Sequence, residues 1–327
     1  FSWLTGGRGF VGMAAVTACA VLVVTPRQVF LVTENIEAQR LWYEQLDENP
    51  LVKVQPYPWL SPGRREEILR ELCGEAPVLT EENAAEELQR VRTVMTPWEI
   101  TRYRELGRLT AQGLEEVCRT LRPGITEYEF TGELSRRFWA DNLEPTTLLV
   151  GFDERALRFR HPVPAGAKLK NYALVAVCTR RCGLIVSATR LVCVKKDEVM
   201  ERRQQAAAQV NAVLCAGSRP GTDTADLFTR ATQTYSEAGY PGEWDYHHQG
   251  GLTGYLPREW KARADLHHLV REGEVYAWNP SVQGAKAENT VLVTKNGVEN
   301  LTHTGNWPYI RNVVDGQEVL TEAVLTL

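Results

Sequence analysis

The chain has no surplus of positive charge: 37 Lys and Arg stand against 41 Asp and Glu, a formal charge of -4 with a pI near 6.0. Phosphate recognition needs concentrated cationic surface, so neither nucleic acid nor an anionic membrane is an expected partner. Nor is there a long hydrophobic run. The longest, residues 14–24, is too short to cross a bilayer and stops at the turn-forming Thr25-Pro26-Arg27-Gln28, so it reads as a buried strand. A disulfide framework is missing too. The seven cysteines are odd in number and scattered, at 19, 73, 118, 178, 182, 193 and 215, in a chain too large to need such a framework, which favours a reducing cytoplasm. No secretory signal is visible; the chain opens on Phe1, and a targeting segment ahead of it stays open.

What is present is an ordinary globular composition, 43% hydrophobic and 24% charged over 327 residues, enough for two domains with separate cores. The boundary is expected near residue 90, giving domains 1–90 and 91–327. In the first, β-branched runs at 20–24 and 29–33, a helical stretch at 36–46, and Ser61-Pro62-Gly63 feeding a helix over 64–72 describe a small α/β unit. The second opens at Thr96-Pro97-Trp98-Glu99, where a hydroxyl N-cap, a proline at the first helical position and a glutamate three residues after the cap suit the free N–H groups of a helix start. That helix stops at Arg122-Pro123-Gly124. A second cap, Thr126 with Glu129, opens another, and strands follow.

The same grammar then recurs. A long helix over 197–216 stops at Arg219-Pro220-Gly221, Thr222-Asp223 starts a second helix, and strands follow again. Matched stops inside matched helix-helix-strand units indicate an internal duplication, with too few copies for a solenoid. The expected product is one pseudo-symmetric α+β domain whose curved antiparallel sheet is lined by helices, with a ligand cleft between the halves.

Four segments, 171–190, 246–255, 273–281 and 284–294, resemble in order and spacing the metal-binding strands of the pita-bread hydrolases: methionine aminopeptidase, aminopeptidase P, prolidase and creatinase. The resemblance covers roughly residues 92–327. The front domain, with Trp3-Leu4-Thr5-Gly6-Gly7, resembles the N-terminal domain of creatinase and aminopeptidase P less specifically. Aligning Gly183 to Arg190 on the family pattern puts Ser187 where the second metal-binding aspartate belongs and Ala176 at the first. The segment of the form His-x-x-Gly-His-x-x-Gly reads His247-His248-Gln249-Gly250-Gly251-Leu252-Thr253-Gly254, so Gly251 stands for the metal-binding histidine and His247 matches the earlier one. Asn279, before Pro280, replaces a glutamate, and Glu288 matches the last ligand. One carboxylate with a neutral amide and hydroxyl is a poor set for two hard dications. The expectation is therefore no metal and no other cofactor.

The resemblance to creatinase, a member that works without metal, makes His161 the candidate proton shuttle, which suits an imidazole whose ordinary pKa lies near neutrality; a surface-loop histidine is the alternative. His247 and His248 are adjacent, so on a strand they would point to opposite faces. By family position His247 is assigned to the site, with His248 a further candidate for substrate contact. Arg190, Arg258 and Lys286 are candidate carboxylate clamps or carbonyl polarisers, although Arg258-Glu259 reads equally well as a surface pair. Cys178 and Cys182 would share a strand face; with no second pair or nearby histidine to complete a tetrahedral set, they read as core. Trp244, Tyr246, Tyr255, Trp260, Tyr276 and Trp278 flank the pocket strands, part core and part candidate rim.

These residues point to a hydrolase of a small amide, amidine or peptide-like C–N bond, metal-independent, with His161 as general acid or base, His247 assisting, and Glu288 orienting a water or a cationic substrate. Asn279 would bond the carbonyl. Two alternatives stand beside it: a non-catalytic pseudopeptidase that binds a peptide or protein partner, resembling the peptidase-like domain of the FACT histone chaperone, and an atypical Xaa-Pro metallopeptidase using His161, His247 or His248 with Glu288. The expected ligand is a small molecule or short peptide, and the resemblance implies a homodimer.

Overall fold

The computed structural model describes residues 1–15 and 17–327. Two compact units divide the chain at Gln89 and Arg90. In the first, β1 (Ala20–Val24) pairs antiparallel with β2 (Val29–Glu34), which pairs parallel with β3 (Val52–Tyr57). Only β2 is central, and its Leu31 and Val32 are the buried residues around which two small cores form. The long apolar run therefore yields a shorter and less buried strand than its composition predicts. β1 is an edge strand with Val24 exposed, and Val16, within that run, lies outside the described residues. Helical turns span 38–45, and the helix expected after Pro62 is α1 (Gly63–Cys73).

The second unit carries the duplication. Its first half runs α2 (Pro97–Cys118), α3 (Glu127–Ala140), β4 (Glu144–Phe152), β5 (Tyr172–Arg181) and β6 (Leu184–Cys193). Its second half runs α4 (Glu198–Gly217), α5 (Thr224–Glu237), β7 (Gly250–Thr253), β8 (Trp260–Lys261), β9 (Val275–Trp278), the short pair β10 (Ser281–Val282) and β11 (Ala285–Lys286), then β12 (Asn289–Thr294) and β13 (Gly297–Asn300). Both sequence caps before the first-half helices form complete capping boxes, Thr96 with Glu99 and Thr126 with Glu129. In the second half Asp197 and Asp223 take over, each accepting N–H groups of the turn it opens.

The two Arg-Pro-Gly stops are equivalent in conformation as well as in sequence. Gly124 and Gly221 both take left-handed φ, 91° and 89°. The Gly124 N–H donates to the Leu169 carbonyl and that of Gly221 to Val270, both at 2.8 Å.

The strands form two main sheets, ordered β14-β6-β5-β4 and β13-β12-β9-β7-β8, where β14 is Val324–Thr326. They meet where β6 passes the start of β12. The Ser187 N–H donates to Thr290 Oγ1 at 2.9 Å, the Thr290 hydroxyl returns a bond to the Ser187 carbonyl at 2.9 Å, and the Thr189 N–H reaches the Glu288 carbonyl at 3.2 Å. One large core lies between α2, α3 and the first sheet and another between α4, α5 and the second. The site residues sit at the seam.

Candidate functional site

Strand alternation decides what β5 and β6 send to the seam. Ala176 pairs with Thr189 and Cys178 with Ser187 across the hairpin, so these four side chains share one face. Cys178 Sγ lies 3.2 Å from Ser187 Oγ, and burial pushes its thiol pKa up, leaving it neutral. Thr189 donates from Oγ1 to Glu288 Oε2 at 2.5 Å. Arg190, one residue on, must face the other way. It does: its guanidinium is fully buried, bonded to Glu115 Oε1 at 2.9 and 2.7 Å and to the Thr302 carbonyl at 2.8 Å, with Glu322 at 3.4 Å. Arg190 is thus a strut between β6 and α2, and the expectation that it clamps substrate is corrected by the pleat of its own strand.

Glu288, between β11 and β12, is the one acidic group among the family-matched positions, and it is buried. Lys286 Nζ lies 3.1 Å from Oε2 and an Arg258 guanidinium nitrogen 3.6 Å from Oε1. Burial works to raise the Glu288 pKa, but the two cations and the Thr189 hydroxyl outweigh it and hold the carboxyl below its ordinary range. Arg258 also donates to Ser187 Oγ at 3.3 Å. Its neighbour Glu259 has a wholly buried side chain bonded to Arg92 at 2.6 Å, so it is not half of an exposed surface pair.

Three histidines from two segments converge beside this group. His161, exposed in the loop after β4, has its Nε2 3.2 Å from Nε2 of buried His247. His247 and His248 precede β7 rather than lying on it, so they escape strand alternation, and their rings stand 4.7 Å apart. The expectation that the two point to opposite faces is therefore corrected: one ring nitrogen from each of the three histidines falls within 4.8 Å of the others. Burial first, and then the nearby cations, depress their pKa values: His161 is lowered, with Lys286 adding to the effect; His248 is lowered to about 3, with Arg258 and Lys261 adding; and His247 is pushed far down. All three are neutral imidazoles at pH 7.

Two buried polar atoms here have no protein partner. Asn279 Oδ1 is one; its backbone N–H donates to the Gln249 carbonyl, next to His248. Arg258 Nε is the other. Buried polar groups are nearly always paired, so an acceptor and a donor left open at one site are natural seats for a ligand.

Cys182 does not join Cys178. It occupies the two-residue β5–β6 turn with Gly183, both at positive φ (51° and 81°), the backbone of a tight hairpin turn. Tyr276 and Trp278 stack 5.1 Å apart and are wholly buried, so they are core, whereas Tyr246 is exposed.

Sequence reasoning passed over Ser281 and Arg160. Ser281 Oγ lies 3.1 Å from His247 Nδ1, and Arg160 NH1 donates to that same oxygen at 3.1 Å. Arg160 is itself paired with Glu243. The available signals were local: Arg160 adjoins His161, and Ser281 follows the Asn279-Pro280 step.

A duplicated α+β unit with its polar residues at the seam between two sheets is the pita-bread architecture. The model for metallopeptidase family M24 matches residues 101–295. The chain belongs to that family. It is 26% identical over 249 residues to "Putative dipeptidase YkvY" of Bacillus subtilis (strain 168), covering 73% of this chain and 67% of that protein. It spans about two thirds of the length of such relatives, 64% in the case of a Staphylococcus haemolyticus peptidase. Among solved structures it is similar to the prolidase from Pyrococcus horikoshii OT3, with a TM-score of 0.74 at 16% identity, covering 92% of this chain and 90% of that one. It is also similar to the N-terminal domain of FACT complex subunit SPT16 from Cicer arietinum, with a TM-score of 0.65 at 14% identity, covering 88% and 84%. Among the described residues no helix is long and apolar enough to cross a membrane.

Proposed function

We propose that the chain is a hydrolase that cleaves the C–N bond of a small amide, amidine or peptide-like substrate without the dinuclear metal centre its family name implies. His161 is the general acid or base and His247 supports it. Glu288 orients a water or a cationic group, Asn279 bonds the substrate, and Arg258 with Lys286 receives a carboxylate. The observation that carries this reading is the buried Lys286–Glu288–Arg258 group lying beside the His161–His247 pair.

The residues present do not suit two metal ions. Two hard dications need several oxygen or imidazole donors. Ala176 and Gly251 offer no side-chain donor, Ser187 and Asn279 are neutral, and Glu288 is already balanced by two protein cations. Nor is there room for a histidine at 251: a Cβ there would fall 2.2 Å from the Trp260 carbonyl oxygen. An ammonium and a guanidinium take the electrostatic place of the dications, so a polar site persists with altered chemistry.

The test is turnover of Xaa-Pro dipeptides and of small amides and amidines, with and without a chelator. On an identified substrate His161→Ala is expected to lower kcat by about 10²- to 10⁴-fold, the usual contribution of a positioned acid or base. Unchanged turnover would remove the assigned role.

Two other readings each have one observation in favour. The likeness to the SPT16 domain favours a non-catalytic pseudopeptidase that binds a peptide or protein partner, which predicts ligand binding with no turnover. The cluster of three histidines favours an atypical metallopeptidase, which predicts stoichiometric bound metal.

A further inference from the structure

We propose that Ser281 and Arg160 fix the tautomers of the histidine chain, so that His247 donates to His161 and His161 meets the substrate as an N–H donor through Nδ1. The inference narrows the hydrolase reading above, giving His161 the donor rather than the base side of its role, and rests on that reading for its functional meaning, although the tautomers themselves do not.

The assignment follows from which groups can only donate. A guanidinium has no acceptor, so at the 3.1 Å contact Arg160 gives a proton and Ser281 Oγ receives it. Ser281 is 3% exposed, and its hydroxyl hydrogen must find an acceptor inside the protein. Of the two partners of Oγ, Arg160 offers none, which leaves His247 Nδ1 at 3.1 Å. His247 Nδ1 is then bare, and a neutral His247 carries its proton on Nε2. That proton points along the 3.2 Å contact to His161 Nε2, which must accept. His161 in turn carries its own proton on Nδ1, at the exposed end of the chain. The opposite assignment keeps both histidine bonds but strands the buried serine hydroxyl without an acceptor.

His248 is set in the same way by a different donor. The Gly250 backbone N–H reaches His248 Nδ1 at 3.2 Å, so Nδ1 accepts and Nε2 bears the proton. The cluster is therefore biased toward presenting N–H groups rather than lone pairs. That suits a substrate carbonyl oxygen or a leaving nitrogen, and it opposes a metal ion, because the bare nitrogen of each ring already accepts a hydrogen bond from the protein. Ser281 and Arg160 are positioning residues here: they touch no substrate and act through His247.

Two-bond proton–nitrogen NMR of the labelled protein, with ring signals assigned through His161→Gln, His247→Gln and His248→Gln, separates bare from protonated ring nitrogens. The expected result is Nε2–H on His247 and Nδ1–H on His161 at pH 7. Ser281→Ala should convert His247 to a mixture or to the other tautomer, and Ser281→Thr, which keeps the hydroxyl, should restore the wild-type pattern. A wild-type His247 protonated on Nδ1, or a Ser281→Ala spectrum unchanged at both rings, would overturn the proposal. So would one-to-one binding of added Zn2+ that moves one ring nitrogen of each histidine to a metal-bound shift. Because the readout is spectroscopic, the expected tautomers together with no turnover of any substrate would sink the hydrolase reading and leave this assignment standing.

Discussion

Glu288 and Arg190 are both buried ionic residues with different duties, and substitution separates them. Glu288→Gln leaves Lys286 and Arg258 facing each other with no anion between them, and should cost about 3 kcal/mol or more in urea unfolding, the usual consequence of stranding a buried charge. Adding Lys286→Met to that variant should recover much of the loss. Arg190→Ala should destabilise by a similar ~3–5 kcal/mol, because Glu115 and Glu322 lose their cation, while KM of the folded fraction stays at the wild-type value. A raised KM would return Arg190 to the substrate. The sequence contained this answer: Ser187 and Arg190 are an odd number of residues apart on one strand and cannot face the same way. The convergence of His248 with His247 was not legible, because it depends on the chain leaving strand geometry before Gly250.

The histidines also give stability a direction in pH. A histidine whose folded pKa lies below its unfolded value binds fewer protons when folded, so stability is complete above the unfolded value of 6.5 and declines as pH falls. For His248 the decline runs from about 6.5 to about 3, with a slope of up to roughly 1.4 kcal/mol per pH unit. Glu288 has the same sign in a lower window: its contribution is present above the ordinary carboxylate range and is lost as pH falls through its depressed folded value. Urea midpoints measured from pH 7.5 to 5 should drop, and His248→Gln should flatten part of the slope. An unchanged slope would mean that His248 is hydrated and titrates normally.

At the scale of elements, the helix starts and stops were the best-written features of the sequence. Caps act on the few N–H groups beside them, so Thr96, Thr126 and Asp223 can be read without knowing what packs where. Gly124→Ala and Gly221→Ala should each cost about 1 kcal/mol, from the left-handed backbone alone, because a Cβ at either position meets open space. Gly251→His is a different case. Its Cβ would collide with the Trp260 backbone on β8, so restoring the family histidine, even together with Asn279→Glu, should destabilise the fold and confer no tight metal binding. Calorimetric titration with Mn2+ on the double variant checks this. The long apolar run misled because hydrophobicity reports burial only when the strand is central, and β1 lies at an edge.

For the molecule as a whole, the duplication was legible because both halves kept the same punctuation, and punctuation is local. Reactivity was not, because the same sheets serve whichever residues line their seam. A carboxylate-rich seam would call for dications. This seam carries its own cations, Lys286 and Arg258, and a neutral histidine chain, so its activity should be indifferent to metal. The most direct test is metal content of protein purified without chelator, followed by reconstitution with manganese, cobalt and zinc while assaying Xaa-Pro dipeptides and small amides. Substoichiometric metal and a turnover rate that neither chelator nor added ions change is the expected result. Stoichiometric metal with peptidase activity that appears on reconstitution would contradict it.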